Sequence, residues 1–271
     1  MGKSGRRYYP EDSFEYLYEI EDIHWWFQAR NSLIVWILKY KVRGFKRFLE
    51  IGCGTGCVLA AISRAFPNKC LEGGEYYEKG LEVAKRRLSG VNTRLLDATR
   101  LNLIEQYDCI GSFDVLEHIH DDSLVLDNIY KSLITGGCLV LTVPQHPWLW
   151  SCADIRAEHV RRYTAKELDY KLISAGFRIV YSTSFVSFLL PLMALQRLLP
   201  SFISRVQRLL MDSTYTACTE TTGFYREDDE FKINTCLNSL LLAVQRFELL
   251  MLRSGLRLPF GGSLLVVAQK P

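Results

Sequence analysis

The sequence predicts an α/β fold, a mostly parallel sheet covered by helices on both faces. Three observations predict it. Short apolar strands alternate with amphipathic helices from residue 46 to 185, the pattern of crossover-connected parallel strands. A glycine-rich turn, Gly52-Cys53-Gly54-Thr55-Gly56, follows the first strand and opens a helix. Acidic residues, Glu75 and Asp97, end the next two strands.

The elements follow in order. Arg47–Ile51 reads as a strand and Cys57–Phe66 as a helix stopped by Pro67-Asn68. Lys69–Glu75 is the second strand. Glu78–Leu88 is a helix, with Glu82 and Arg86 at supportive i, i+4 spacing. Thr93–Leu96 and Cys109–Phe113 are strands three and four. Asp121 caps a helix over Asp122–Leu133. Thr135-Gly136-Gly137 turns into a fifth strand, Cys138–Val143. Thr164 and Glu167 form a capping box for the next helix, and Gly176 stands at its left-handed C-cap. Phe177–Ser184 is a sixth strand, and Ser263–Gln269 a seventh.

Four segments emerge. Residues 1–45 are aromatic and helical in tendency, and read as an N-terminal lid. Residues 46–185 are the core, 186–262 a helical, leucine-rich insertion, and 263–271 return a final strand to the core.

Composition bounds the function. The 271 residues carry a formal charge of +3, too mild and too evenly spread for a nucleic-acid partner. Apolar residues make up 48% and charged residues 23%, the balance of a globular chain. Eight cysteines without a C-x-x-C pair suggest reduced thiols in a cytoplasmic protein. The basic N-terminus lacks an apolar stretch behind it and does not read as a secretory signal. No apolar run reaches the roughly 20 uncharged residues of a membrane span.

The glycine turn carries the chemistry. Glycines there permit positive φ and close approach of a ligand, and a helix N-terminus offers free N–H groups. Such a turn at the carboxyl end of a parallel strand is a nucleotide-binding setting. The spacing is G-x-G-x-G, and Cys57 occupies the place of a dinucleotide fingerprint's third glycine. Glu50, two residues before the first glycine, would oppose a pyrophosphate but suits a ligand with an amino group and a sulfonium. Glu75, 19 residues after Gly56, stands where a carboxylate binds ribose hydroxyls. Asp97 beside the small Ala98 can accept from an adenine amino group.

On these residues, the chain resembles the class I S-adenosylmethionine-dependent methyltransferases. The E-x-G-x-G-x-G turn, Glu75, the Asp97-Ala98 pair and the stretch Tyr107-Asp108…Phe113-Asp114-Val115-Leu116-Glu117-His118 match that family in order. Leu133-Ile134-Thr135-Gly136-Gly137 is similar to its L-x-P-G-G turn, with Thr135 in place of proline. The resemblance implies a Rossmann-like seven-stranded sheet whose last strand is antiparallel. It implies S-adenosylmethionine as cofactor and S-adenosylhomocysteine as product. Gly52, Cys53, Gly54 and Gly56 would line the methionine part, with Glu50 near its amino group. Glu75 and Tyr76 would take the ribose, and Asp97 and Ala98 the adenine. Asp114, Val115 and Leu116 would flank the methionine and sulfonium, and Trp26 and Arg30 would cover them as part of a lid. His24-Trp25-Trp26-Phe27 and His159-Val-Arg-Arg-Tyr-Thr164 are also similar to bacterial members of sugar, lipid or quinone pathways.

The implied reaction is methyl transfer to a hydroxyl or amine of a small, amphiphilic acceptor. Its alternatives are methylation of a protein and a catalytically silent, cofactor-binding scaffold. Proton removal from the acceptor suits a histidine. His118, after the fourth strand, is the first choice; His159, Tyr163 and His146 follow. A resident metal is not expected. The minor alternative is Mg2+ on Asp114, Glu117 and His118, whose i, i+3, i+4 spacing is similar to the E-x-x-E-H set of some ubiquinone-pathway and small-RNA methyltransferases. The insertion admits three readings: a cap on the sheet, an acceptor pocket or homodimer face, and a peripheral membrane surface. Polar residues 212–231 read as a loop that gates the acceptor site.

Overall fold

A computed structural model describes residues 13–42, 44–198 and 233–271. The expected gating loop at 212–231 lies outside the described residues.

Seven strands form one sheet: β1 (Arg47–Ile51), β2 (Cys70–Glu75), β3 (Asn92–Leu95), β4 (Tyr107–Phe113), β5 (Leu133–Pro144), β6 (Arg178–Phe185) and β7 (Ser263–Gln269). Their order is β3-β2-β1-β4-β5-β7-β6. The first five strands pair in parallel, and β7 runs antiparallel between β5 and β6. Strands buried on both faces need near-continuous apolar runs. β7 has one, and its Leu265, Val266 and Val267 are fully enclosed.

Helices cover both faces. Toward the N-terminus lie α1 (Ser13–Ile20), α2 (Trp25–Tyr40), α3 (Cys57–Ala65) and α4 (Glu78–Arg87); α5 (Asp122–Ser132), α6 (Cys152–Arg156) and α7 (Ala165–Ser174) follow. Helical residues 190–198 form α8, and α9 (Thr235–Arg253) leads back toward β7. One core layer joins α2 and α3 to the sheet through Ile34, Ile37, Phe48 and Leu59. The opposite layer joins α5 and α7 through Val125, Ile129, Leu168 and Leu172.

Most predicted boundaries fall within a residue or two of the observed ones; the fifth strand does not. β5 begins at Leu133, and the expected Thr135-Gly136-Gly137 turn lies inside it. Tyr107 pairs Leu133 while Cys109 pairs Cys138, so the extra residues bulge, with Gly136 at φ +80°. Arg86 does not close an i, i+4 pair with Glu82; it reaches Glu15 of α1 at 2.5 Å. None of the seven described cysteines is in a disulfide. Among the described residues one helix, α9, is long and apolar enough to cross a membrane, where the sequence suggests none. Its Gln245 and Glu248 are turned inward, toward the body of the protein.

One polar cluster holds the loop before α7 against α5. Asp122 accepts from the Tyr163 hydroxyl at 2.7 Å, Arg161 at 2.7 Å and Lys171 at 2.9 Å. Burial alone would raise its carboxyl, but the Lys171 and Tyr163 hydrogen bonds and the Arg161 charge outweigh that and lower it. A depressed native pKa adds stability above the ordinary aspartate value, which is lost as pH falls through the native one. Thermal melts are therefore expected to drop in acid, and Asp122→Ala to cost about 3 kcal/mol at neutral pH. Equal melting of variant and wild type at pH 7 would contradict this.

Candidate active site

The site is built at the carboxyl ends of β1, β2, β4 and β5. β1 ends in Glu50-Ile51, and the glycine turn then bends across β2, where Gly52 and Cys53 both donate to the Gly74 carbonyl, at 2.8 and 3.0 Å. Gly52 and Gly56 have φ of +70° and +78°, which L side chains rarely adopt. A Cβ on Gly52 would also lie 2.5 Å from Val115 Cγ2, so glycine is required there on two grounds. Around Gly54 nothing stands within 4 Å of where a Cβ would be, which leaves its backbone open to a ligand.

Three carboxylates stand at the ends of successive strands. Glu50 is buried, and its Oε2 has no hydrogen-bond partner. Burial raises its pKa well above the ordinary value; Arg30 opposes the rise, while Glu75 and Glu21 add to it. Glu75, at the end of β2, accepts from Gly54 N at 2.7 Å, Tyr76 N at 2.8 Å and Tyr77 N at 3.0 Å. Its Oε2 takes one of those three bonds, which leaves acceptor capacity toward the crevice. Asp97 caps the short turn Ala98–Arg100 by accepting from Thr99 N and Oγ1, at 2.9 and 2.6 Å, and Ala98 beside it is buried.

The N-terminal helices pack against this turn and the end of β4. Arg30 of α2 donates to Asp114 Oδ2 at 2.7 Å and lies 4.5 Å from the Trp26 ring centre. Sequence reasoning aims Arg30 and Trp26 at the cofactor; here they engage Asp114 and each other at the crevice wall. It also missed the tie beneath them. Glu21 accepts from the Thr55 hydroxyl of the glycine turn and from Arg87 at 2.6 Å, and Arg87 reaches the Tyr18 carbonyl at 2.9 Å. Nothing local in the sequence signals a contact across 34 or 66 residues.

Beyond β4, the backbone turns at Asp114 (φ +57°) into a 3₁₀ turn, Leu116–His118. Asp114, Glu117 and His118 therefore do not stack along a helical face. The loop after β5 docks instead against this turn, through Val160 N to the Glu117 carbonyl (2.7 Å) and Arg161 to the His120 carbonyl (2.8 Å). That brings His159 against His118, ring centres 4.8 Å apart and edge to face. Asp154, the start of this arrangement, was not singled out in the sequence. Its Oδ1 lies 3.0 Å from His159 Nδ1, and its Oδ2 accepts from Arg197 at 2.7 Å.

The four candidate bases thus separate. His159 is held by a carboxylate beside the crevice. His118 is pushed down to about 3, first by burial and then by His159, so it stays neutral. Tyr163 is fully buried, with its hydroxyl given to Asp122, and burial and that bond raise its pKa. His146 (φ +66°) stacks on Phe260 at the outer rim, 6.0 Å between ring centres, and is lowered by burial and Arg162.

Glu117, His118 and His159 also form a group able to hold a metal ion, with ligand atoms within 4.8 Å of one another. Glu117 is fully buried, and no side-chain donor reaches either carboxylate oxygen. His159 stands in this set where the sequence offered Asp114, which pairs with Arg30 instead.

The sheet order, the glycine turn and the carboxylates at successive strand ends define a Rossmann-like methyltransferase. A family model for the methyltransferase domain matches residues 25–182, and the chain belongs to that family. The malonyl-[acyl-carrier protein] O-methyltransferase of Bacillus cereus is 30% identical over 120 residues, 44% of this chain and 45% of the relative. The ubiquinone biosynthesis O-methyltransferase of Psychrobacter arcticus is 28% identical over 155 residues, 49% of this chain and 59% of that one. The chain thus spans about half the length of the curated relatives it matches. An S-adenosylmethionine-dependent methyltransferase from Mesorhizobium loti superposes with a TM-score of 0.55 at 15% identity, covering 92% of this chain and 99% of the other. Phosphoethanolamine N-methyltransferase 2 of Haemonchus contortus, solved with S-adenosylmethionine, gives 0.53 at 17%, covering 88% and 52%. Both likenesses are of fold.

The cofactor of this family, S-adenosylmethionine, fits the residues present. The unmet Glu50 oxygen matches an ammonium donor, the open backbone at Gly54 admits a ligand, and Glu75 retains capacity for a hydroxyl.

Proposed function

We propose that the chain transfers the methyl group of S-adenosylmethionine to an oxygen of a small amphiphilic acceptor, an amine being the second choice of atom. The observation that carries this reading is the Asp154–His159 pair, a carboxylate-held imidazole beside the crevice that the glycine turn and Glu50 form. The relatives named for malonyl-acyl carrier protein and ubiquinone biosynthesis are both O-methyltransferases, which supports oxygen.

When bound, the cofactor supplies a methyl carbon already activated by its sulfonium. The chain's own residues then have two tasks. Glu50, Glu75 and Asp97 hold amino, ribose and adenine groups, so that the reacting atoms meet in line. Asp154 takes the Nδ1 proton side of His159 and turns Nε2 into the acceptor for the substrate's hydroxyl proton. His159 Nε2 would take that proton while the hydroxyl oxygen accepts the methyl carbon of the cofactor held by Glu50, Glu75 and Asp97, with the electron pair kept on the cofactor's sulfur. Asp154 is a positioning residue; His159 is the base.

A second reading has an observation of its own, the Glu117–His118–His159 group, which would bind a divalent cation, with His159 as a ligand in place of a base, and so hold and polarise the acceptor oxygen. Thorough chelation is the test. The base reading predicts turnover unchanged after chelation; loss restored by Mg2+ would favour the cation.

Methyl-labelled S-adenosylmethionine, offered with lipid and quinone-type hydroxyl compounds, tests the proposal itself. Label in an extractable small molecule is expected. Label on protein would mean a protein methyltransferase, and cofactor binding without transfer to any acceptor a silent scaffold; either overturns the reading.

A further inference from the structure

The helices α8 and α9 show a large apolar face to the outside for a protein surrounded by water. A surface helix buries its apolar stripe and shows its polar one. On α9 the inward stripe carries Leu241, Leu249 and Leu252 together with Gln245 and Glu248, yet Leu240, Phe247 and Leu250 stand outward, 61%, 58% and 59% exposed. The inward acid has a local task. Glu248 accepts from Ser187 N at 2.7 Å and Phe188 N at 3.1 Å, which anchors the segment leading into α8. Its cost is a polar group where an apolar one would pack, and the outward leucines are not explained by it.

The outward stripe continues onto the neighbouring segment. Phe188, Leu192 and Leu195 follow one another at i, i+4, i+7 and are all exposed. Phe188 meets Phe247 with ring centres 5.8 Å apart, so the two stripes form one surface. Single exposed apolar residues are ordinary, whereas a contiguous set marks a site of contact.

Among the described residues, the exposed charges carried by these two segments have one sign. Over 186–198 and 233–262 the basic residues are Arg197, Arg246, Arg253 and Arg257, and the sole acid is Glu248, which is buried. Arg246 and Arg253 lie seven residues apart on the flank of the apolar stripe of α9, both exposed. An apolar stripe edged by arginines is the pattern of a helix lying in the interface of a bilayer with anionic headgroups.

We propose that the outward face of α8 and α9 docks on an anionic lipid membrane. The surface adjoins the active site. Arg197 of α8 donates to Asp154 Oδ2, whose other oxygen holds His159. The Asn238 amide oxygen of α9 accepts from Trp25 N at 2.8 Å, at the start of the helix that carries Arg30. Docking therefore sets the crevice at the membrane boundary, where an amphiphile's headgroup lies. The proposal does not rest on methyl transfer and is read without it.

Sedimentation of the full chain with vesicles tests it. One set of vesicles is neutral phosphatidylcholine and the other contains phosphatidylglycerol. Binding to the anionic set is expected, weakening with salt. Phe247→Asp with Leu250→Asp is expected to reduce it at least tenfold. Arg246→Glu with Arg253→Glu is expected to remove the preference for anionic vesicles, at about fivefold per arginine. Retained cofactor binding shows that each variant is folded. No binding of the wild type to anionic vesicles, or unchanged binding by the Asp variant, overturns the proposal. A dimer in solution that Phe247→Asp dissociates, without vesicle binding, would instead assign the face to a second copy of the chain.

Discussion

Glu50→Gln is expected to raise the melting temperature of the cofactor-free chain and, at the same time, to weaken S-adenosylmethionine about 30-fold. The two effects come from one atom. Without ligand, the Glu50 carboxylate is buried with Oε2 unpaired, and burial lifts its pKa well above the ordinary value. A carboxyl raised in the native state binds its proton more tightly there than in the unfolded chain. Stability is then greatest below the unfolded value and declines as pH rises through the native one. Glutamine removes that decline, so the gain should grow from pH 5 toward pH 8. The same oxygen is the acceptor we propose for the cofactor's ammonium, and a charge-assisted hydrogen bond is worth about 2 kcal/mol. Calorimetry and thermal melts on one pair of proteins read both signs. A variant that is less stable without ligand, or that binds the cofactor as well as wild type, contradicts the role given to Glu50.

His159→Ala is expected to lower turnover about 10³-fold while leaving cofactor affinity within about twofold, the magnitude of a lost general base. The imidazole touches neither the glycine turn nor its carboxylates, so the loss should fall on kcat. His118→Ala should cost only about tenfold, because a histidine pushed down to about 3 by burial and by His159 cannot keep a proton at neutral pH. This ratio also separates the base from the cation reading. A cation held by Glu117, His118 and His159 would make the two histidine variants equally severe. Asp154→Asn is expected to fall between them in turnover, since the amide no longer holds the imidazole in place through Nδ1.

The parts of the fold that were legible in the sequence are those fixed by local physics. Strand and helix periods, caps at Asp121 and Thr164, and the left-handed glycines at 52, 56 and 176 each state their conformation within a few residues. The crevice was legible for the same reason, since Glu50, Glu75 and Asp97 sit at strand ends that the alternation itself locates. What the sequence hid lies across the chain. The Glu21–Thr55–Arg87 tie and the Asp154–His159 pair depend on how loops dock, and so did the preference for His159 over His118. The bulge in β5 was hidden because Gly136 serves a turn and a bulge equally well. On α9 the leucines and arginines are legible in the sequence, but their outward direction is set by Glu248, which anchors the segment before α8.

One measurement bears most directly on the central claim, that the crevice at the ends of β1 and β2 is shaped for adenosine joined to a charged sulfur amino acid. It is a calorimetric titration of the chain with S-adenosylhomocysteine, repeated with NAD and with the Glu50→Gln variant. One equivalent of S-adenosylhomocysteine should bind the wild type, bind the variant about 30-fold more weakly, and show no competition from NAD. Binding of NAD in its place, or S-adenosylhomocysteine binding that ignores Glu50, would contradict the account.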